Sequence, residues 1–178
     1  MNRRLRTTPR GRTARGRATS NLKPGKDYSI FQSMDSREVM NRIGAIIEAH
    51  GTGLLATIDD NGHPHVRWMT PTLLRESPGV LYALTAPGFS AYAQLRSHAR
   101  VEWMFQTPTL DEVITVRGLV NVVENPSLRS EVLEALGPRL HALWKLAPDI
   151  RDLLVLETVI DKAVRYLPMK GSKDVVHF

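Results

Sequence analysis

The sequence predicts a mainly β, α+β domain: an antiparallel barrel of six to seven strands with two or three peripheral helices. The apolar period switches from 3.6 to 2 after residue 53 and returns to 3.6 only in short stretches. Turn signals recur between the period-2 segments, Asp59-Asp60-Asn61-Gly62 above all. The element order α-β-β-β-α-β-β-α-β-β contains consecutive hairpins. Hairpins imply antiparallel pairing, because parallel strands need long crossovers. A small closed barrel would then remove most exposed strand edges.

Residues 35–50 predict an amphipathic helix, with Val39, Met40, Ile43, Ile46 and Ile47 at three- and four-residue spacing. Asp35 followed by Glu38 resembles a capping box with Asp in the Ser/Thr position, and Gly51 and Gly53 stop the helix. Residues 53–59 are the first strand, and Asn61-Gly62 tolerates the positive φ of a tight hairpin. Residues 63–74 return as a second strand interrupted at Pro71, 76–79 turn, and 80–85 form a third strand ended by Pro87-Gly88. Residues 90–98 form a short helix burying Tyr92 and Leu95. A fourth strand covers 100–106, a turn 107–110, and a long fifth strand 112–123 contains Gly118. Pro126 stands near the start of a helix carrying Leu128, Val132, Leu133 and Leu136, which Gly137-Pro138 breaks. Residues 139–146 add a further helical turn or two, and 153–159 and 163–167 are the final two strands. There is no internal repeat and no sign of a second folded domain.

At 178 residues and 42% hydrophobic the chain can build one real core. No apolar run approaches the roughly 20 residues that a membrane-spanning helix needs. The chain has no cysteine, which excludes disulfides, thiolate metal sites and cysteine catalysis and is compatible with a cytoplasmic location. The net charge of +6 is unevenly placed. Residues 1–26 carry nine basic side chains and no acid; the remaining 15 basic residues face all 18 acidic ones, so 27–178 nets −3. The expected organisation is a disordered basic tail over 1–26 and a mildly acidic folded domain over 27–178. Nucleic-acid contact is expected only weakly, through the tail. The tail has three readings: a solvated extension without function, a phosphate-binding arm, or an organellar transit peptide, against which Pro9, Gly11 and Gly16 count. No apolar stretch follows the charges, so a secretory signal is not expected.

Several chemistries lack their motifs. There is no glycine-rich loop of the P-loop or dinucleotide-binding type and no Gly-x-Ser-x-Gly elbow. His63 and His65 share one side of a strand, but two imidazoles without a third ligand read as hairpin surface, and no metal site is expected. His50, His98, His141 and His177 have no metal spacing. Trp103 and Trp144 read as core or interface aromatics.

The hairpin Ala56-Thr57-Ile58-Asp59-Asp60-Asn61-Gly62-His63-Pro64-His65-Val66-Arg67-Trp68-Met69-Thr70-Pro71 is followed by Leu81-Tyr82-Ala83-Leu84-Thr85-Ala86-Pro87-Gly88, then Ala93-Gln94-Leu95-Arg96, Ala99-Arg100-Val101 and Val116-Arg117-Gly118. This ordered set, over residues 35–167, resembles the pyridoxamine 5′-phosphate oxidase-like family, and its general-stress-protein branch more than the true oxidases. The resemblance implies a six-stranded split barrel, a homodimer, and FMN at each subunit interface. Carried over to this chain, Arg67, Trp68, Met69 and Thr70 would line the isoalloxazine ring and ribityl chain, and Leu84 and Thr85 would lie near the ring or phosphate.

The family's phosphate loop typically reads T-x-x-G-S-R-K-x-x-Q-L. In the same register Phe89 replaces Ser, Ser90 replaces Arg and Ala91 replaces Lys. Two phosphate-binding cations are missing, each worth roughly 1.5–3 kcal/mol in charge-assisted hydrogen bonds. Arg67, Thr85, Ser90 and the helix N-terminus at Ser90 are the candidates to supply part of that; Arg96 lies on another helical face. Thr72 stands where the true oxidases carry a substrate-binding Lys, and Tyr166-Leu167-Pro168-Met169-Lys170 stands near their C-terminal Arg-Leu-His-x-Arg signature. Vitamin B6 oxidation is therefore not expected.

Taken without the resemblance, Arg67 reads as a surface cation, and Trp68 and Met69 as barrel or interface residues. Three functional expectations follow. One is an FMN-binding oxidoreductase with a small-molecule redox substrate and no catalytic side chain that the sequence names. Another is a non-catalytic or altered-ligand member that has lost tight FMN and holds a deazaflavin, haem or other group. The last is a basic-armed nucleic-acid protein.

Overall fold

The computed structural model describes residues 34–140 and 149–178. The basic tail, His141, Trp144 and the helical turns expected over 141–146 lie outside these. Among the described residues the order is α1 (Ser36–His50), β1 (Gly53–Ile58), β2 (Pro64–Met69), β3 (Val80–Thr85), α2 (Ser90–Ser97), β4 (Arg100–Gln106), β5 (Val113–Val123), α3 (Pro126–Leu136), β6 (Leu154–Leu167) and β7 (Ser172–His177). All seven strands join one antiparallel sheet of order β2-β1-β4-β5-β6-β3, with β7 also on β6.

Local chemistry explains the element ends. Asp35 accepts a hydrogen bond from the Glu38 amide at 2.7 Å, and Gly51 closes α1 in the left-handed region at φ 69°. Gly53 is not part of that stop. It opens β1, and a Cβ there would lie 2.7 Å from the Phe105 ring. In α2 the buried residues are Ala91 and Leu95, four apart; Tyr92, expected to be buried, is one position off that face and sits half-exposed beneath Arg96.

Two corrections concern the C-terminal half. Residues 153–159 and 163–167 are not separate strands but parts of one, β6. Arg117 pairs with Lys162 while Gly118 pairs with Ile160, so Asp161 is an extra residue absorbed as a bulge. Strand β7 was not foreseen, because its inward positions are Asp174 and Val176, and an inward acid breaks the apolar alternation. At the bulge the strands approach closely: a Cβ on Gly118 would lie 2.3 Å from the Val159 carbonyl oxygen. Gly118→Ala is expected to cost about 1–3 kcal/mol by overpacking. An unchanged calorimetric melting temperature would contradict that approach.

Two apolar clusters result. The larger fills the barrel, with Leu55, Leu81, Trp103, Phe105, Val116 and Leu156 beneath α1 and α2; the smaller joins Tyr82, Leu84 and Val155 to Val132 and Leu136 of α3. The sheet is not closed, contrary to the closed barrel expected from hairpins alone. Its end strands β2 and β3 meet through the Thr72–Tyr82 bridge, with hydrogen bonds of 2.7 and 2.9 Å. The result is a split barrel.

Candidate functional site

A cavity of about 610 Å³ opens at this split. Arg67, Trp68, Met69 and Thr70 reach it from β2 and the residue after it, Leu84 and Thr85 from the end of β3, and Gly88, Phe89, Ser90 and Ala91 from the start of α2. All seven residues singled out from the sequence therefore line one cavity. Thr52, which was not singled out, lines it too. It precedes Gly53, whose register partner is Met69, so it stands beside Thr70.

The polar centre is Arg67. Its Nη2 donates to Thr57 Oγ1 at 2.9 Å and to Gln94 Oε1 at 2.5 Å, and its Nη1 lies 3.5 Å from Ser90 Oγ. The Thr57 hydroxyl donates in turn to Gln94 Oε1 at 2.7 Å. These partners are hydroxyls and an amide, with no carboxylate among them. Burial pulls the guanidinium below its ordinary pKa. Thr57 is 1% exposed and lies diagonally across the β1–β2 ladder from Arg67, where side chains of one face meet.

Two further features adjoin the cavity. Thr85 Oγ1 is buried without a hydrogen-bond partner, the one such side-chain atom among the described residues. At α2 the N-cap is Phe89, which offers no side-chain acceptor to the first-turn amides. The guanidinium and the uncapped helix N-terminus stand together at the cavity, an arrangement that favours an anion. Met69, Leu84 and Phe89 supply apolar surface in the same cavity.

The family model described as pyridoxamine 5′-phosphate oxidase matches residues 39–165. The chain belongs to the pyridoxamine 5′-phosphate oxidase family. Solved structures share its fold. One is a Clostridium acetobutylicum protein related to general stress protein 26, 11% identical, covering 82% of this chain and 97% of that one at TM-score 0.65. Another is a pyridoxamine 5′-phosphate oxidase-related, FMN binding protein from Nostoc punctiforme, 13% identical, with 78% and 88% covered at TM-score 0.57. A third is an F420 reductase, 21% identical, with 67% and 93% covered at TM-score 0.53. No curated protein matches the chain.

Within this family's phosphate-loop register, Phe89 and Ala91 line the cavity as neutral side chains, and Arg96 turns away to stack 5.8 Å over the Tyr92 ring. Thr72 is buried in the bridge that pinches the barrel. Thr57 and Gln94, the partners of Arg67, were missed by sequence reasoning. The available signal was the Gln-Leu pair that ends the phosphate-loop pattern.

The two histidines of the first hairpin serve its turn. His65 Nε2 lies 3.0 Å and His63 Nδ1 3.7 Å from Asp59 Oδ2. The His65 hydrogen bond, with backbone donors from His63 and Asn61, holds the Asp59 carboxyl down at about 2. Among the described residues no group of three His, Asp or Glu side chains could hold a metal ion, and no helix is long and apolar enough to cross a membrane.

Proposed function

We propose that the chain is an FMN-binding oxidoreductase of the split-barrel type, acting on a small-molecule redox substrate other than a B6 vitamer. The observation that carries this is that Arg67, with no carboxylate partner, and the uncapped α2 N-terminus stand together at a cavity also lined by Met69, Leu84 and Phe89, with the partnerless Thr85 hydroxyl buried beside it. The volume of about 610 Å³ is within the usual range for ligand sites. Arg67, Thr85 and Ser90 would hold the phosphate end, and Trp68, Met69, Thr70 and Leu84 would flank the ring and ribityl chain. When bound, the flavin supplies the electron chemistry; these side chains bind it, orient it and keep water from one face.

A homodimer with the cofactor at the subunit interface belongs to the same reading. Trp68 is 69% exposed on an end strand, and its register row continues through Leu54 to Met104. An aromatic and apolar row on an open sheet face suits a second copy of the chain. A cytoplasmic location accords with the absence of cysteine.

The second reading is an altered-ligand member, supported by the neutral Phe89-Ser90-Ala91 loop and by the fold shared with an F420 reductase. Titration of the purified protein with FMN separates the two. Saturable quenching of flavin fluorescence at one FMN per chain is expected, with a mass by light scattering twice that of the chain. Protein that leaves FMN fluorescence unchanged but binds a deazaflavin or haem would replace the first reading by the second.

A further inference from the structure

We propose that Thr57 and Gln94 are positioning residues that aim the Arg67 guanidinium at the N-terminus of α2, so that one held cation recognises the ligand's phosphate in place of the two missing from the loop. This rests on the flavin reading of the cavity.

The geometry is a closed triangle. Nη2 of Arg67 gives its two protons to Thr57 Oγ1 and Gln94 Oε1, and Thr57 Oγ1 gives its own to Gln94 Oε1. A guanidinium has five N–H donors. The triangle uses two, and both lie on Nη2. Nη1 donates one proton over a long 3.5 Å to Ser90 Oγ, on the first residue of α2, and keeps the other, as Nε keeps its own. Two positive ends, the guanidinium and the helix N-terminus, are thus brought together. That juxtaposition is unfavourable on its own and favourable around a phosphate.

The chemistry of the partners separates Arg67 from the structural arginines of this chain. Arg42 and Arg165 are both bound to the Glu112 carboxylate. Arg139 donates to backbone carbonyls of Ala135 and Leu136 at the end of α3. Arg67 is held by side-chain hydroxyls and an amide, which fix its direction, and it has neither a carboxylate nor a helix C-terminus to offset its charge. Thr57 is buried within β1, and Gln94 lies on the α2 face turned toward that strand, so the aim is set by the barrel itself. A guanidinium fixed beforehand loses less freedom when it binds its anion.

FMN and riboflavin differ only by the phosphate, so their affinity ratio reports its recognition. Dissociation constants for both, by fluorescence quenching, are compared in wild-type protein, Gln94→Leu, Thr57→Val and Gln94→Glu. Gln94→Leu and Thr57→Val should each weaken FMN about 10-fold, and Gln94→Glu, which gives Arg67 a carboxylate partner, about 100-fold. Riboflavin should stay within about twofold, which also shows that each variant is folded. If Thr57→Val does not fold, the two Gln94 variants decide. Wild-type protein that binds FMN while these variants lose both flavins equally, or neither, overturns the positioning role and leaves the flavin reading standing. Wild-type protein that binds neither flavin overturns both.

Discussion

Glu112→Ala is expected to cost about 3–5 kcal/mol of folding stability, because it strands cations around a buried carboxylate site. Glu112 is 3% exposed at the head of β5. It accepts from Arg42 Nε at 3.2 Å and from Arg42 Nη2, and from Arg165 Nε at 2.5 Å; Arg165 also lies 3.5 Å from Asp174. One carboxylate thus joins α1, β5 and β6, and Arg165 carries the link on to β7 through Asp174. Most of the loss should come from Arg165, whose side chain is 20% exposed, since Arg42 at 45% keeps much of its hydration. Burial pushes the Glu112 carboxyl up, but the hydrogen bonds from Arg42 and Arg165 outweigh it and hold the group below its ordinary 4.5. A depressed native pKa stabilises the fold above the unfolded value, and that stabilisation is lost as pH falls through the native one. Urea midpoints should therefore be flat near neutrality and drop below pH 4.5 in wild-type protein. The drop should be smaller in Glu112→Ala. Equal midpoints for the two proteins at pH 7 would refute the role of this carboxylate.

Trp103→Ala should also cost about 3–5 kcal/mol, here by emptying the middle of the barrel. Trp103 is fully buried on β4, stacks on Phe105 with centroids 6.1 Å apart and planes 8° from parallel, and donates from Nε1 to Thr158 Oγ1 at 3.1 Å. The alanine variant loses the ring's burial and stacking and leaves the Thr158 hydroxyl unused. Trp103→Phe keeps most of the volume and should lose little beyond the hydrogen bond, about 1 kcal/mol. Denaturant midpoints that fall with unchanged slope would measure both. An alanine variant as stable as the phenylalanine one would show that the barrel collapses around the gap, or that the ring is not in the core.

Elements governed by neighbouring residues were readable in advance. The N-cap Asp35, the stop at Gly51 and the Asn61-Gly62 hairpin are local chemistry, and the strand at residues 80–85 has the predicted limits. The sequence misled where a distant partner overrode a local sign. Residues 160–162 look like a break between strands, yet Gly118, some forty residues away, accommodates the extra residue and β6 runs on. Asp174 looks out of place in a strand until Arg165 meets it.

The candidate site shows the same division. Arg67, Trp68, Met69, Thr70, Leu84, Thr85 and Ser90 could be named from the sequence because the family pattern keeps them in order along it. Their meeting in one cavity depends on the sheet stopping between β2 and β3, where pairing is reduced to the Thr72–Tyr82 bridge. What holds Arg67 is a hydroxyl 10 residues away and an amide 27 residues away, brought together by strand register and helix docking. The sequence by itself determined the first five strands, the turns between them and seven of the cavity's side chains, since period and turn chemistry act over a few residues. Only the tertiary structure decided where the barrel splits, which way Arg67 points and which carboxylate locks α1 to the sheet, because those depend on hydrogen bonds between segments that the chain keeps far apart.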